Sequence, residues 1–137
     1  MFARQKVEAE IVPWCRKHGV GILAHSVLGK GLLTGRYKPG HTFADDDERK
    51  GREDFEGARF ESFCAATQKL SALAARKGAT VAELAIGWVL RLPEVAVALV
   101  GAKSATQVVA NNRFVRDFSA AELMEIDAIL ADAPSQD

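Results

Sequence analysis

Two short runs of small residues, each holding a lysine, are the parts of this sequence best suited to chemistry. They are residues 25–31 (HSVLGKG) and residues 101–104 (GAKS). Glycine lets the backbone approach an anion closely, free N–H groups at a helix start point toward it, and lysine adds charge. Both runs therefore favour phosphate binding. Glycine and serine also join strands to helices for steric reasons alone, so each run by itself leaves that interpretation open.

Each run follows an apolar segment with the pattern of a strand. Residues 20–24 (VGILA) and 95–100 (VAVALV) lie between turn signals, and uninterrupted apolar runs of this length are typical of parallel strands buried on both faces. In an α/β barrel, turns that follow such strands lie on the carboxyl-terminal face, where active sites occur. We therefore expect both runs at the carboxyl-terminal end of the strands of one sheet.

The rest of the chain predicts helices from its apolar periodicity. Residues 6–18 predict a helix that Pro13 bends, because proline lacks the backbone donor that a helix interior needs. Residues 60–74 predict an amphipathic helix that ends near Gly78, and residues 104–113 predict a further helix. The order helix, strand, helices, strand, helices is that of parallel α/β units.

Two of the predicted helices begin with a specific signal. Thr80 with Glu83, and Ser119 with Glu122, match the capping box, in which a hydroxyl and a carboxylate bind free N–H groups of the first turn. Apolar residues follow each pair at helical spacing, and Pro93 closes the first of these two helices.

A long segment without apolar periodicity, about residues 35–57, predicts a mobile loop. Connections above ~15 residues are uncommon in compact domains unless they act as lids or binding loops. Its charged run, residues 45–50 (DDDERK), lacks the ligand spacing of a calcium loop and is expected to be a solvated face. The tail at 134–137 is expected to fray.

Length and composition predict a single domain over residues 1–137, too short for a complete (β/α)8 barrel of ~250 residues. Its 18 basic and 18 acidic residues balance, which argues against nucleic-acid binding. There is no apolar run of ~18 residues to span a membrane and no signal-peptide pattern, so the cytoplasm is the expected location. Cys15 and Cys64 are expected as buried thiols, and no residues have the spacing of metal ligands.

From about Val7 to Ala131 the sequence resembles the C-terminal part of the aldo-keto reductases. Several motifs in the family's order carry the resemblance, and together they are more specific than any one alone. These motifs are PWC (13–15), GVG (19–21), SxLxxGLLTG (26–35), TxxELAxxWVL (80–90), VGAKS (100–104), Gln107, Asn111 and FSxxEL (118–123).

The resemblance implies an α/β fold, a partial and helix-rich (β/α)8 TIM barrel with roughly the last two to three β/α units. It also implies the NADP(H)-binding portion of an oxidoreductase that reduces aldehydes and ketones by hydride transfer. Positions matching the first run would hold the pyrophosphate, Lys103 and Ser104 would meet the 2′-phosphate and favour NADP over NAD, and the adenosine would lie beside Gln107 and Asn111. The implied cofactor-binding residues are His25, Ser26, Leu28, Gly29, Gly31, Gly101, Lys103, Ser104, Gln107 and Asn111.

The sequence also departs from the family's pattern. His25 stands where the family usually has an aromatic residue that stacks on the nicotinamide, and Val27 replaces a proline that would pre-organise the turn. Ala110 replaces an acidic residue. The family's catalytic Asp, Tyr, Lys and His lie on earlier strands, and Tyr37 occupies no matching position. No catalytic residue is therefore assigned, and the chain is not expected to be catalytic on its own.

Two strands cannot close a barrel, so their edges and apolar faces are expected to be covered. Self-association into an oligomer or a complementary barrel half would cover them, and a truncated reductase is one origin of such a chain. Two functions stay open. One is an aldo-keto reductase-related protein that binds NADP(H). The other is a non-catalytic scaffold or interaction protein, or a truncated pseudoenzyme, that self-associates.

Overall fold

A computed structural model describes residues 1–136, in which two parallel strands lie against a set of helices. In chain order the elements are α1 (Arg4–Lys6), a π-helical turn (Val7–Ile11), α2 (Val12–His18), β1 (Ile22–Ala24), an irregular 3-10 helix (Gly29–Thr34), a second 3-10 helix (Glu53–Phe55), α3 (Gly57–Arg76), α4 (Val81–Leu90), β2 (Val95–Ala98), α5 (Ala105–Asn111) and α6 (Ala120–Ala131). Within residues 1–136, no helix is long and apolar enough to cross a membrane.

The two strands pair in parallel, as the alternation of strands and helices predicts. Their register pairs Ile22 with Val95, Leu23 with Val97 and Ala24 with Ala98. Ala96 is therefore an extra residue in β2, and such a bulge interrupts the alternation of side chains between the two faces. Ala96 and its neighbour Val97 are both exposed, whereas the residues at the two ends of β2 are half-buried.

The prediction that both strands are buried on both faces is wrong. Leu23 is 63% exposed and its partner Val97 is 41% exposed. The physical reason is that the described chain forms no further strand beside these two, so Leu23 and Val97 lack the neighbours that a larger sheet would supply. Apolar runs of this kind are typical of buried strands, but their burial depends on layers that only the rest of a fold can supply.

The first helical stretch contains a π turn before its proline. The N–H of Val12 donates to the carbonyl of Val7, the spacing of a π turn, and Pro13 then lies in the first turn of α2. A proline is tolerated there because the first N–H groups of a helix have no partner within it. The helix predicted over residues 6–18 is therefore interrupted by a π turn ahead of Pro13, and the bend at Pro13 stays a prediction. Gly19 ends α2 with a φ of +65°.

The core is built mainly by α3, α4 and α6. The predicted amphipathic helix at 60–74 is confirmed within α3, and both capping boxes are present. Glu83 and Glu122 each accept from the N–H of the capping residue at 2.7 Å. The fully enclosed side chains include Phe63, Leu70, Leu73, Leu84 and Ile126.

The long loop packs onto this core through aromatic side chains, Tyr37 among them. Phe55 is buried in the core cluster and Phe43 lies half-buried against it. Residues 134–136, the described part of the tail expected to fray, lie beside the N-terminus. There the N–H of Gln136 donates to the carbonyl of Phe2 over 3.2 Å, and the Ser135 hydroxyl donates to the same carbonyl over 3.4 Å. Asp137 lies outside the described residues.

Replacing Gly87 by alanine should destabilise the fold strongly. A Cβ at Gly87 would lie 1.9 Å from the backbone oxygen of Val115, so either α4 or the segment between α5 and α6 would have to move. Overpacking of this kind costs about 1–3 kcal/mol or more. Urea unfolding followed by circular dichroism should show a lower midpoint for Gly87→Ala. Gly101→Ala is the control, because a Cβ there meets nothing within 4 Å. Equal midpoints for the two variants would contradict the packing argument.

Removing the Glu122 carboxylate should weaken the acid dependence of stability. Lys77 donates to this carboxylate over 2.7 Å, and together with the bonds from Ser119 it lowers the pKa of Glu122 from 4.5 to about 2. The unfolded chain therefore binds a proton below about pH 4.5 before the folded chain does, and the contribution of the pair is lost as the pH falls toward 2.

Urea unfolding at stepwise pH from neutral downward tests this. Wild-type protein should lose more stability through the acid range than Glu122→Gln. Glu125→Gln, which removes a more exposed carboxylate from the same helix, should retain the wild-type profile. Parallel profiles for wild type and Glu122→Gln would show that the pair makes no contribution.

Candidate functional site

The structure places the two predicted phosphate-binding runs at the same edge of the sheet. We call residues 25–31 the first turn and residues 101–104 the second turn. The first turn follows β1 directly, and the N–H of Leu99, just after β2, donates to the carbonyl of Ala24 over 2.8 Å. This bond extends the pairing past β2, so the two segments of the chain lie side by side where they leave the sheet.

The first turn is tightly coiled and partly strained. Four of its residues have positive φ: Ser26 (52°), Gly29 (55°), Lys30 (53°) and Gly31 (100°). Positive φ costs glycine little but disfavours residues with a Cβ, so Ser26 and Lys30 are held in unfavourable conformations. Two internal bonds close the turn: Gly29 N–H donates to Ser26 over 2.8 Å, and Gly31 N–H donates to Leu28 over 3.0 Å.

The opening of the first turn offers unused donors. Within residues 1–136, the backbone N–H groups of Ser26, Val27 and Leu28 donate to no protein acceptor. The ring Nδ1 of His25 lies 3.2 Å from the Ser26 hydroxyl. Consecutive backbone N–H groups without partners are the donors that hold phosphate oxygens in proteins.

In the second turn, two predicted binding residues also cap α5. The Ser104 hydroxyl accepts from Gln107 N–H over 3.3 Å, and the Gln107 side-chain oxygen accepts from Lys103 N–H over 2.6 Å. In the described part of the chain, no carboxylate lies within ion-pair distance of the Lys103 ammonium, although its charge acts on Asp47. Asn111 is the half-buried last residue of α5. The second turn thus presents a free cation beside a helix start that its own side chains stabilise.

The long loop reaches the first turn through Arg49. Its Nη1 donates to the Lys30 carbonyl over 3.1 Å and to the Tyr37 hydroxyl. Its Nε and Nη2 donate to the two carboxylate oxygens of Asp47 over 2.7 Å and 2.5 Å. The guanidinium also lies 4.8 Å from the Phe43 ring centre. Sequence analysis missed this cluster, because nothing in the charged run distinguishes Asp47 from its acidic neighbours.

The electrostatics link the loop to both turns. Bonds from Arg49 hold the pKa of the Asp47 carboxyl well below its usual range, and the positive charge of Lys103 lowers it slightly further. Asp47 is therefore near enough to the second turn to sense its lysine. The long loop thus contacts the first turn through Arg49 and lies within electrostatic range of the second turn.

A cavity of about 560 Å³ borders the first turn. His25 and Ser26 form part of its wall, and apolar side chains from the N-terminus, the first helical stretch, both strands and α4 form much of the rest. Within residues 1–136, no group of three or more His, Cys, Asp or Glu side chains could hold a metal ion. Cys15 and Cys64 are buried free thiols, and burial raises the pKa of Cys64.

Comparisons with known proteins agree with one another. The model of the aldo/keto reductase family matches residues 1–131. A probable voltage-gated potassium channel subunit beta from Arabidopsis thaliana is 35% identical over 119 residues, which are 84% of this chain. The glycerol dehydrogenase AKR11B4 from Gluconobacter oxydans has a similar structure, with a TM-score of 0.87 and 32% identity over 98% of this chain.

The holo form of the aldo-keto reductase AKR11C1 from Bacillus halodurans shares the fold, with a TM-score of 0.69 at 22% identity over 98% of this chain. The chain covers a minor part of each relative: 36% of the plant protein, 41% of the glycerol dehydrogenase and 42% of the Bacillus reductase.

Replacing Ser104 by alanine should open α5 locally. The hydroxyl satisfies the N–H of Gln107, and loss of such a cap costs about 1 kcal/mol. Because residues 105–110 are all exposed, little packing compensates for it. Amide hydrogen exchange should speed up about fivefold at Val108, whose N–H donates to the Ser104 carbonyl. The equivalent change in α6, Ser119→Ala, is the control and should leave exchange in α5 unchanged. Unaltered exchange in Ser104→Ala would exclude the capping role.

Proposed function

Because this chain belongs to the aldo/keto reductase family, we propose that it forms the NADP(H)-binding portion of an oxidoreductase that reduces aldehydes or ketones. One observation carries the proposal. Two adjacent parallel strands end in turns at the same edge, one with unused backbone donors and the other with an unpaired lysine. Two anion-binding elements side by side suit a ligand with two separate phosphate groups.

The residues of both turns fit the chemistry of NADP(H). In the proposed complex the N–H groups of the first turn hold the pyrophosphate, and Lys103 with the Ser104 hydroxyl holds the 2′-phosphate. Gln107 and Asn111 lie toward the adenosine, and His25 lies toward the nicotinamide. When bound, NADPH supplies a hydride to a carbonyl carbon.

In this proposal, residues of this chain bind and orient the cofactor. The proton that completes the reduction comes from a group outside this chain. Hydride addition leaves an alkoxide, which a nearby acid must protonate. The chain has one tyrosine, Tyr37, and its hydroxyl accepts a hydrogen bond from Arg49 on the side of the first turn. We propose that the acid belongs to a complementary part of the barrel, in keeping with the partial coverage of the relatives.

The open face of the sheet supports a covering partner. Leu23 and Val97 are register partners, and Leu99 is 51% exposed beyond them. Apolar side chains grouped in this way gain free energy when they are covered. We propose a complementary barrel half or a second copy of this chain as the covering partner.

A second function is favoured by a different observation. The Arabidopsis relative is described as a probable subunit of a potassium channel, so a family member can be named for its assembly rather than for a reaction. The alternative proposal is therefore a non-catalytic interaction protein that keeps the fold and uses its exposed face to bind a partner.

Titration with NADPH and NADH should separate the two functions. Wild-type protein should bind NADPH more tightly than NADH. Lys103→Glu should weaken NADPH binding roughly 10- to 100-fold, since a charged hydrogen bond contributes about 1.5–3 kcal/mol. Lys17→Glu makes the same charge change at the end of α2, away from both turns, and should bind like wild type. Isothermal titration calorimetry or cofactor fluorescence measures the dissociation constants of wild type, Lys103→Glu and Lys17→Glu.

Absence of NADPH binding by wild-type protein would favour the interaction protein. Equal weakening by Lys17→Glu and Lys103→Glu would mean that net charge, and not the second turn, controls affinity. Multi-angle light scattering in the same buffers gives the assembly size. A folded monomer would contradict self-association.

A further inference from the structure

We propose that the outer side of the first helical stretch pairs with the same surface of a second copy of this chain, with the two helices antiparallel about a twofold axis. Four exposed residues form this surface, which we call the outer helix face: Glu10, Pro13, Trp14 and Lys17. It includes no residue of either turn and none of the sheet, and the pairing does not depend on cofactor binding.

The spacing of the four residues places them on one side of a helix. They are separated by three, four and seven positions, which is the repeat of a single face at 3.6 residues per turn. Val12 and Cys15 project from the opposite side and are buried. The first helical stretch therefore packs on the rest of the chain through Val12 and Cys15 and leaves Trp14 on the outside.

Trp14 is the apolar centre of the outer helix face. Its side chain is 56% exposed, and its ring stacks on that of His18 with ring centres 4.3 Å apart. His18 is an exposed residue of the same helix, so the contact orients the indole without burying it. Tryptophan is among the residues most enriched at the centres of protein interfaces, where it supplies much of the binding energy. An exposed and oriented tryptophan therefore suits a contact with another protein surface.

Opposite charges lie at the two ends of this face. Glu10 comes one turn before Trp14 and Lys17 comes almost one turn after it. Within residues 1–136 neither Glu10 nor Lys17 forms an ion pair, whereas the neighbouring Glu8 and Arg16 both have partners elsewhere in the chain. The face thus presents one free acid and one free base on either side of its apolar centre.

This order of charges makes the face complementary to itself. With a twofold axis between residues 13 and 14, Glu10 of one copy lies opposite Lys17 of the other, and Trp14 lies opposite Pro13. Each of these contacts occurs twice in the pair. A parallel arrangement would instead place each charge opposite its own kind, which is unfavourable. Antiparallel helices also bring the opposite ends of their dipoles together. The charge pattern therefore favours a second copy as the occupant.

The small size of the outer helix face predicts a weak dimer. Stable interfaces use about 20–30 residues a side, and one helix face supplies far fewer. We expect a dissociation constant on the order of 100 μM, so the pair should form and separate with protein concentration. Sedimentation equilibrium between about 10 μM and 1 mM covers this range.

The test exchanges charges between copies. Glu10→Lys and Lys17→Glu should each be monomeric at concentrations where wild type pairs, because each variant places like charges opposite one another twice. An equimolar mixture of the two variants should pair again, since every lysine of one copy then faces a glutamate of the other. Glu61→Lys and Lys38→Glu make the same charge changes at exposed positions outside the first helical stretch and should pair like wild type.

The apolar centre is tested separately. Trp14→Ala should raise the dissociation constant of the pair by roughly 30-fold or more, the loss typical of a tryptophan at an interface centre. Met124→Ala removes another exposed apolar side chain, from α6, and should pair like wild type. Circular dichroism shows whether each variant is folded. If Trp14→Ala is unfolded, the charge exchange decides alone.

Three results would overturn the pairing. They are wild-type protein that stays monomeric over the whole range, single charge variants that assemble as wild type does, and a mixture of the two variants that stays monomeric. NADPH should bind Trp14→Ala as it binds wild type, so these results would leave the proposed function intact. Protein that pairs as expected but binds no NADPH would overturn only the proposed function.

Discussion

The crossover that joins β1 to β2 is the constraint on which the rest of the structure depends. Parallel strands need a long connection, and here that connection contains α3 and α4, which hold most of the core. Each large apolar side chain buried there contributes roughly 1.5–3 kcal/mol. The strands are only three and four residues long, so they add little stability of their own. The site at the edge of the sheet is therefore positioned by helices that lie away from it.

The same dependence explains which parts of the fold the sequence predicts. A capping box is encoded in four consecutive residues, so Thr80 with Glu83 and Ser119 with Glu122 identify two helix starts without further context. The burial of β1 and β2 is not local. It depends on how many strands and layers surround them, and the extra residue Ala96 changes the alternation in a way that no apolar run reveals. The parallel arrangement is predictable, whereas the exposed face is not.

The candidate site divides along similar lines. Each of the two turns follows an apolar run, but such turns also join strands to helices for steric reasons alone, so the family resemblance is what singles out their residues. Arg49 cannot be identified from the sequence, because its partner Lys30 lies 19 positions earlier in the chain and the residues on either side of Arg49 are also charged. Gln107 and Ser104 show the reverse difficulty. Both stand where ligand contacts are expected, yet each also stabilises the start of α5, so part of their pattern has a purely structural cause.

Under the proposed function, binding of a partner to the exposed sheet face around Leu23 and Val97 is coupled to binding of the cofactor. Leu23, the exposed centre of β1, lies two residues before His25, at the nicotinamide end of the proposed site, so a partner that covers the face would also border that end. Linkage then requires that whatever strengthens one event strengthens the other by the same factor. Ligand affinity and assembly would rise together, and the weaker stacking expected of His25 would be offset by surface that the partner contributes. The proposed adenosine end would depend less on a partner, because the second turn and α5 are adjacent segments of this chain and Ser104 caps the helix.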